Sequence, residues 1–588
     1  MRMTGQLVRT ARWKRLLPAK DLSARGLWRT AFALAALKIV LCGQQLVYAF
    51  PDASPIDDEL MLNFAKSITA GNWLGEYGWL TLGKHSFYAL WLALMNLLHM
   101  NIIVGGQILF AAGCLVLLAA LRPVLRTGWA RLFVFAVVLY TPASWAEHTM
   151  RVYRDSIYPS LVLLALAGLL GAFVRVREPV SHALPYLAAA GFSLAAAWLC
   201  HEDNALLLPF LLCGAAVYAA ALFCSRDITR RGARLALLLV PLAVWSGGVA
   251  AWRGMNAACY GRFIVSDFTS REFEDAMGAL SRAYPDDQTR YILVPRSTRF
   301  ALYEVSPTFA LLRDTLETEP MYKGYGDPDA GEFNSGGIHW ALRRAAWMAG
   351  FYETAETAEA FWRNVADEIN AACDAGLVPA GPKQSGIFSP IKPEYIGPTL
   401  GKFFEEIRVF LLFEQTDPRA PLTWATQERL ADWDSYTHCT SSGSAIPYTD
   451  IPYYPRPAHV AYAVLDGFTW VQRVLLWPML ALAAVWIWRF LPQFVRAVRK
   501  RELTPQLAGG MLLFGFFLTG LLRMAAIAYL LAVSMSIDIS LMYLSPACAP
   551  MLAFLACASA LWAERRFGFT DELAPQAGPF RRLIDAAG

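Results

Sequence analysis

Apolar and polar positions fall in long alternating blocks along most of this chain. A helix needs roughly 20 mostly apolar residues to cross a bilayer. Ten stretches approach that length: 30–50, 101–121, 131–143, 156–174, 184–200, 205–224, 235–252, 468–488, 507–534 and 541–562. The stretch 85–100, HSFYALWLALMNLLHM, is aromatic-rich and shorter, and reads as a helix lying on the membrane surface. Between 253 and 467 the pattern changes to polar, with many Pro and Gly, over a length sufficient for a domain. REFEDAMGALSRAY, IHWALRRAAWMAGFY and ETAEAFWRNVADEINAACDAG read as helices, the last stopping at Gly376, and YILVP reads as a short extended piece.

The expected fold is an α-helical polytopic membrane protein. It has about ten transmembrane helices, juxtamembrane helices in the first external loop, and a mostly α external domain. The expected divisions are a basic N-terminus 1–29, a membrane module 30–252 containing the external loop 51–100, an external domain 253–467, a second membrane module 468–562, and a tail 563–588.

Charge orients these elements. The N-terminus carries Arg2, Arg9, Arg12, Lys14, Arg15, Lys20, Arg25 and Arg29, followed by a run too long for a cleaved signal region, so it is expected to stay inside as the lead of a retained span. The loops 122–131, 175–182, 225–234 and 489–502 then fall on the same side, and basic residues dominate them, as the positive-inside rule requires. A full crossing by 85–100 would invert that pattern. Of 588 residues 17% are charged, against about 25% in soluble proteins. The net charge of +5 therefore reports topology, not nucleic-acid binding. Most of the ten cysteines lie in or beside apolar runs, where they act as small hydrophobes. Of the three in the polar region, Cys259, Cys373 and Cys439, the pair Cys373–Cys439 is the expected disulfide if that region is external.

Four charged clusters fall on the external face: Asp57–Glu59, Glu147–Asp155, His201–Asp203 and Asp538. Charges at a membrane boundary are costly unless they face water, a partner or a cavity. Four clusters at one depth predict one polar cavity opening outward. Asp57, Asp58 and Glu59 precede an amphipathic helix, where acids suit the N-terminus; a cap needs one or two, so the third is surplus. Arg151 and Arg154 either anchor at the bilayer edge or bind phosphate through their donor forks. His201, Glu202 and Asp203 form either an ordinary polar turn or a binding element, His201 taking a phosphate when protonated or a metal when neutral. Arg523 lies well inside the ninth span, which makes it a functional candidate. Lys38 in the first run is similar but better able to reach the interface.

The order of these parts resembles the C-type membrane glycosyltransferases (GT-C fold), which use polyprenyl-phosphate sugars as donors. DDELMLNFAKSITAGNWLGEY is similar to that family's acid pair followed by a helix and G-x-W. Lys84–His85 in TLGKHSFYALWLAL stands where the family often has Lys-Pro. RVYRDSIY is similar to its Arg-rich outer turn, CHEDN to its Arg-Glu-Glu or Arg-Glu-Asp turn with His201 in place of Arg, and LMYLSPACAP to the Tyr-and-Pro start of its final span. The resemblance covers the membrane part and gives the external domain no enzyme family.

The resemblance implies an inverting transfer on the periplasmic face of a bacterial inner membrane. A first-loop Asp is the general base: Asp57 by its spacing to GNW, with Asp58 close behind. Glu59, Lys84, His85, Arg151, Arg154, His201, Glu202, Asp203 and Arg523 would bind donor or acceptor. No metal ligand set is assigned; a divalent ion, if one is used, would sit at Glu202 and Asp203. The expected partners are the lipid bilayer, a polyprenyl-phosphate-linked sugar and a glycan, lipid or protein acceptor, with no nucleic acid. Two readings compete: a transporter or flippase of a lipid-linked sugar, which more often shows repeated halves or broken helices in matching positions, and a non-catalytic glycan-assembly protein.

Overall fold

A computed structural model of the chain describes residues 21–51, 55–224, 228, 230–269, 271–383, 391–444 and 454–566. The basic residues up to Lys20, and the tail beyond 566, lie outside these. Among the described residues seven helices are long and apolar enough to cross a membrane: Ile102–Ala120, Val180–Cys200, Glu202–Cys224, Arg231–Tyr260, Arg456–Lys500, Pro505–Val533 and Leu541–Glu564. Gly128–Leu139 and Pro142–Met150 make an eighth if their 55° bend is one broken span. The chain is a helical, multi-pass membrane protein.

Three of the ten predicted spans take another form. The run 30–50 becomes the helix Ala24–Cys42, displaced toward the basic N-terminus, and an extended segment after it. That segment is apolar because protein covers it: Leu46, Val47, Tyr48 and Ala49 are all buried. Its backbone is paired on two sides. Val47 N–H donates to Thr440 O at 3.0 Å and Ser442 N–H to Val47 O at 3.0 Å, while Tyr48 N–H donates to Met150 O at 3.2 Å and Val152 N–H to Tyr48 O at 3.1 Å. The run 131–143 breaks after Leu139. The run 156–174 becomes Tyr158–Phe173, 16 residues with only Leu164 not buried, packed between Ile102–Ala120 and Val180–Cys200. A helix enclosed by other helices has no need to match the bilayer thickness. The surface stretch 85–100 forms the short helix Phe87–Leu97.

Small residues let Tyr158–Phe173 approach its neighbour closely. A Cβ on Gly168 would lie 2.7 Å from the backbone oxygen of Tyr186, which cannot give way as a side chain would. Gly106, in Ile102–Ala120, meets nothing within 4 Å. Gly168→Ala is expected to destabilise the purified protein by about 1–3 kcal/mol through overpacking. Gly106→Ala is expected to be neutral or to stabilise by up to about 1 kcal/mol. Thermal unfolding of the two variants side by side checks this.

The polar stretch divides between two cores. Residues 268–378 form their own, around Phe273, Phe309, Phe333 and Trp362. Within it the buried Arg299 grips Glu317 at 2.8 and 3.1 Å. The helices Ile396–Leu412 and Gln427–Thr437 instead bury Val409, Phe410 and Trp433 in the core shared with the membrane helices. Cys373 belongs to the first core and Cys439 to the second, and both are free thiols. The expected Cys373–Cys439 disulfide is therefore not formed.

Candidate functional site

Pro55–Glu59 makes one wide helical turn leading into Leu60–Thr69. Its three acids diverge. Asp58 points inward and is fully buried; Arg151 clamps it with Nε and Nη2 at 2.6–3.1 Å, and Phe50 N–H donates to it at 2.8 Å. Such a fork matches both carboxylate oxygens at once. Asp57 keeps a side-chain exposure of 25%, pairs with Lys84 and with Arg151 at 3.6 Å, and accepts from the Tyr153 hydroxyl at 3.0 Å. Glu59 turns away from both, toward Arg429 at 2.8 Å. It thereby stands apart from the ion pairs around Asp57 and Asp58.

From Asp57 a chain of charge pairs runs inward. Tyr153 also receives a hydrogen bond from Lys84 at 3.0 Å, and its ring lies under Arg151 and Arg154, 4.7 and 5.4 Å from ring centre to guanidinium carbon. Arg154 pairs with Glu202 at 2.7 Å. Glu202 accepts the His85 backbone N–H at 3.2 Å, whereas the His85 ring contacts Trp198 O at 2.6 Å and takes no part in the pairing. His201 lies 3.8 Å from Glu202, 3.1 Å from Asp203 and 3.7 Å from Asp155, and stacks on Tyr158. Asp203 accepts from Tyr158 at 2.7 Å and pairs with Arg523 at 2.6 Å, and Arg523 Nε donates to Tyr543 O at 2.7 Å. Asp57, Asp58, Lys84, Arg151, Arg154, His201, Glu202, Asp203 and Arg523 thus meet in one network, though 466 positions separate its ends (523 − 57). Asp538 is exposed on a separate turn.

The adjacent carboxyls differ electrostatically. Burial pushes Asp57 up, but Lys84 and Arg151 outweigh it and hold the carboxyl below its ordinary range. Complete burial pushes Asp58 up to about 6, against the pull of Arg151. Burial also lowers the Lys84 ammonium and raises the Tyr153 phenol well above its usual value. At neutral pH Asp57 is an ionised, partly open acceptor with a neutral phenol beside it.

Each cation has its nearest carboxylate, Lys84 with Asp57, Arg151 with Asp58, Arg154 with Glu202 and Arg523 with Asp203, and Arg151 also reaches Asp57. Of these four cations, two have a buried nitrogen with no hydrogen-bond partner among the described residues, Arg154 Nε and Arg523 Nη2. Arg523 also lines a narrow apolar cavity with Val162, Leu166, Phe516, Pro546 and Pro550. Among the described residues no group of three or more His, Cys, Asp or Glu side chains converges as metal ligands would.

Three participants escaped the sequence reading. Tyr153 and Tyr158 flank the arginine turn but look there like interface aromatics. Trp340, whose ring centre lies 5.3 Å from Lys84 Nζ, comes from the core at 268–378, and no local pattern marks it. No protein family, curated protein or solved structure matches the chain.

Proposed function

We propose that the protein is an inverting, integral-membrane glycosyltransferase of the GT-C kind, acting on the periplasmic side of a bacterial inner membrane. Asp57 takes the proton of an acceptor hydroxyl. The resulting oxygen nucleophile attacks the anomeric carbon of the donor, the bond from that carbon to the phosphate oxygen breaks, and polyprenyl phosphate leaves. Asp58 holds Arg151 against the base. Arg154 and Arg523, each with a buried donor to spare, meet the departing phosphate, which needs fixed positive charge where its own charge develops. The apolar residues that line the narrow cavity at Arg523 are of the kind that would face the first part of a lipid tail.

The observation that carries this reading is the continuity of one network from an open carboxylate to an arginine heading an apolar cavity. Topology supports the outward side. Arg523 holds Tyr543 near the start of the last helix, while the basic loop at Arg126 and Thr127 donates to Glu564 at its far end, about 30 Å away.

The test is transfer of labelled sugar from a polyprenyl phosphate to an envelope glycolipid by the purified full-length protein. Labelled glycolipid supports the reading. Donor moved intact across vesicle walls with no product overturns it in favour of a transporter. Acidification supplies a second check. As pH falls through about 6, Asp58 takes a proton first, the Arg151 clamp loses its anion, and transfer is expected to fall up to about tenfold per unit. Asp58→Asn is expected to be slower throughout and to lack that limb. A wild-type rate flat from pH 7 to 5 removes Asp58 from the mechanism.

A further inference from the structure

The ion-pair network leaves a row of aromatic rings unused. Lys84 faces the Trp340 ring at 5.3 Å; Trp79 packs edge-on to Trp340 with ring centres 6.3 Å apart; Trp347 follows at 6.4 Å from Trp79. Trp340, Arg344 and Trp347 lie along one stripe of the helix Ile338–Met348, at spacings of four and three residues. Trp79 is fixed beside that stripe because its backbone oxygen accepts from Arg343, which is itself buried and paired with Asp267 at 2.6 Å. Close packing of Gly83 holds Trp340, since a Cβ there would sit 3.2 Å from its ring.

Exposure rises steadily along the row. Trp340 is 9% exposed, Trp79 is half-buried, Trp347 is 48% exposed and Met348 53%. The row therefore starts beside the partner of the candidate base and ends in the open. Flat, rigid faces of this kind suit a ligand with one C–H face and a hydroxylated rim, which is the shape of a sugar ring. Arg344, between Trp340 and Trp347 on the same stripe, carries a fork of donors.

We infer that Trp347 and Trp79, backed by the buried Trp340 ring that packs on Phe268, form an acceptor subsite that stacks a sugar ring of a glycan and feeds its terminal hydroxyl toward Asp57. This rests on the transferase reading and narrows it: the acceptor is a carbohydrate chain rather than a peptide. Continuity with the reaction centre is what distinguishes these rings from scattered surface aromatics, which need no explanation.

The test uses full-length protein in nanodiscs, labelled with 5-fluorotryptophan, with the Trp347 resonance assigned by its loss in Trp347→Phe. The probes are three linear tetrasaccharides: of α-1,4-glucose, α-1,6-mannose and α-1,5-arabinose. At least one is expected to shift the Trp347 resonance and to bind at least tenfold more weakly to Trp347→Ala, with Trp347→Phe within about threefold of wild type. Asp57→Asn is expected to bind it like wild type, which separates binding from catalysis. An unshifted resonance with all three sugars, binding untouched by Trp347→Ala, or broadening of Trp347 by spin-labelled lipid rather than by a water-soluble gadolinium chelate overturns the inference. The last result makes Trp347 a bilayer anchor, and transfer from the labelled donor would be unaffected by any of these. Sugar binding without transfer would instead keep the rings as a glycan-binding surface and overturn both the enzyme and the acceptor role.

Discussion

Asp57→Asn is expected to reduce sugar transfer by a factor of about 10² to 10⁴, the usual worth of a positioned general base. The asparagine keeps the size of the side chain and an oxygen that can accept from Tyr153 and Lys84, but it cannot take a proton from an acceptor. Asp57 is partly open, but its neutralisation leaves the buried Lys84 without its carboxylate partner, so a loss of stability is expected beside the loss of transfer. Donor binding, which falls to Arg154 and Arg523, is expected to persist in the folded variant. Initial rates at saturating donor, measured beside donor binding by the same preparation, check the claim. A loss below tenfold would mean that Asp57 is not the base.

The second large effect concerns Arg523. Its guanidinium and the carboxylate of Asp203 meet at 2.6 Å in a region where both are largely hidden. Breaking such a pair leaves an uncompensated charge and typically costs about 3–5 kcal/mol. Arg523→Met is expected to destabilise the protein by that order. Adding Asp203→Asn removes the orphaned anion and is expected to recover most of the stability, since a neutral amide can still accept from Tyr158. Transfer is expected to stay low in the double variant, because the spare Nη2 donor of Arg523 is gone. Unfolding and transfer measured on the four members of this cycle separate the two contributions. If transfer returns with stability, Arg523 supports the fold and does not serve the donor.

Much of this was legible in the chain. Long apolar runs bordered by basic loops announced a multi-pass protein, and acids stranded at the ends of runs announced where polar groups would gather. What hydropathy could not do was distinguish burial by lipid from burial by protein. Tyr158–Phe173 and the segment from Leu46 to Ala49 are apolar for the second reason, so both were counted toward spans. Glu59 reads like its neighbours because sequence adjacency says nothing about direction; one residue further around the turn, it meets Arg429 instead of the network. Trp340 was invisible for the opposite reason, since its place beside Lys84 depends on how the core at 268–378 docks. That docking runs through backbone bonds from Tyr291 to Val533 O and from Gly336 to Ser534 O, at 2.7 and 3.2 Å, which leave no signature in side-chain pattern.

The extended segment after the first helix has a bearing on biosynthesis. Its strand-like partners at Thr440 and Ser442, with Trp424 N–H donating to Ala49 O at 3.1 Å, are made almost four hundred residues after it. A ribosome must therefore deliver most of the polypeptide before the turn bearing Asp57 and Asp58 has a fixed seat. Until then that stretch can pair only on the side of Met150 and Val152, and its other edge awaits a slow closure of the sort that distant contacts impose. Products terminated before Trp424 would lack every one of these later partners, and the turn bearing Asp57 and Asp58 would be left with one of its two backbone supports.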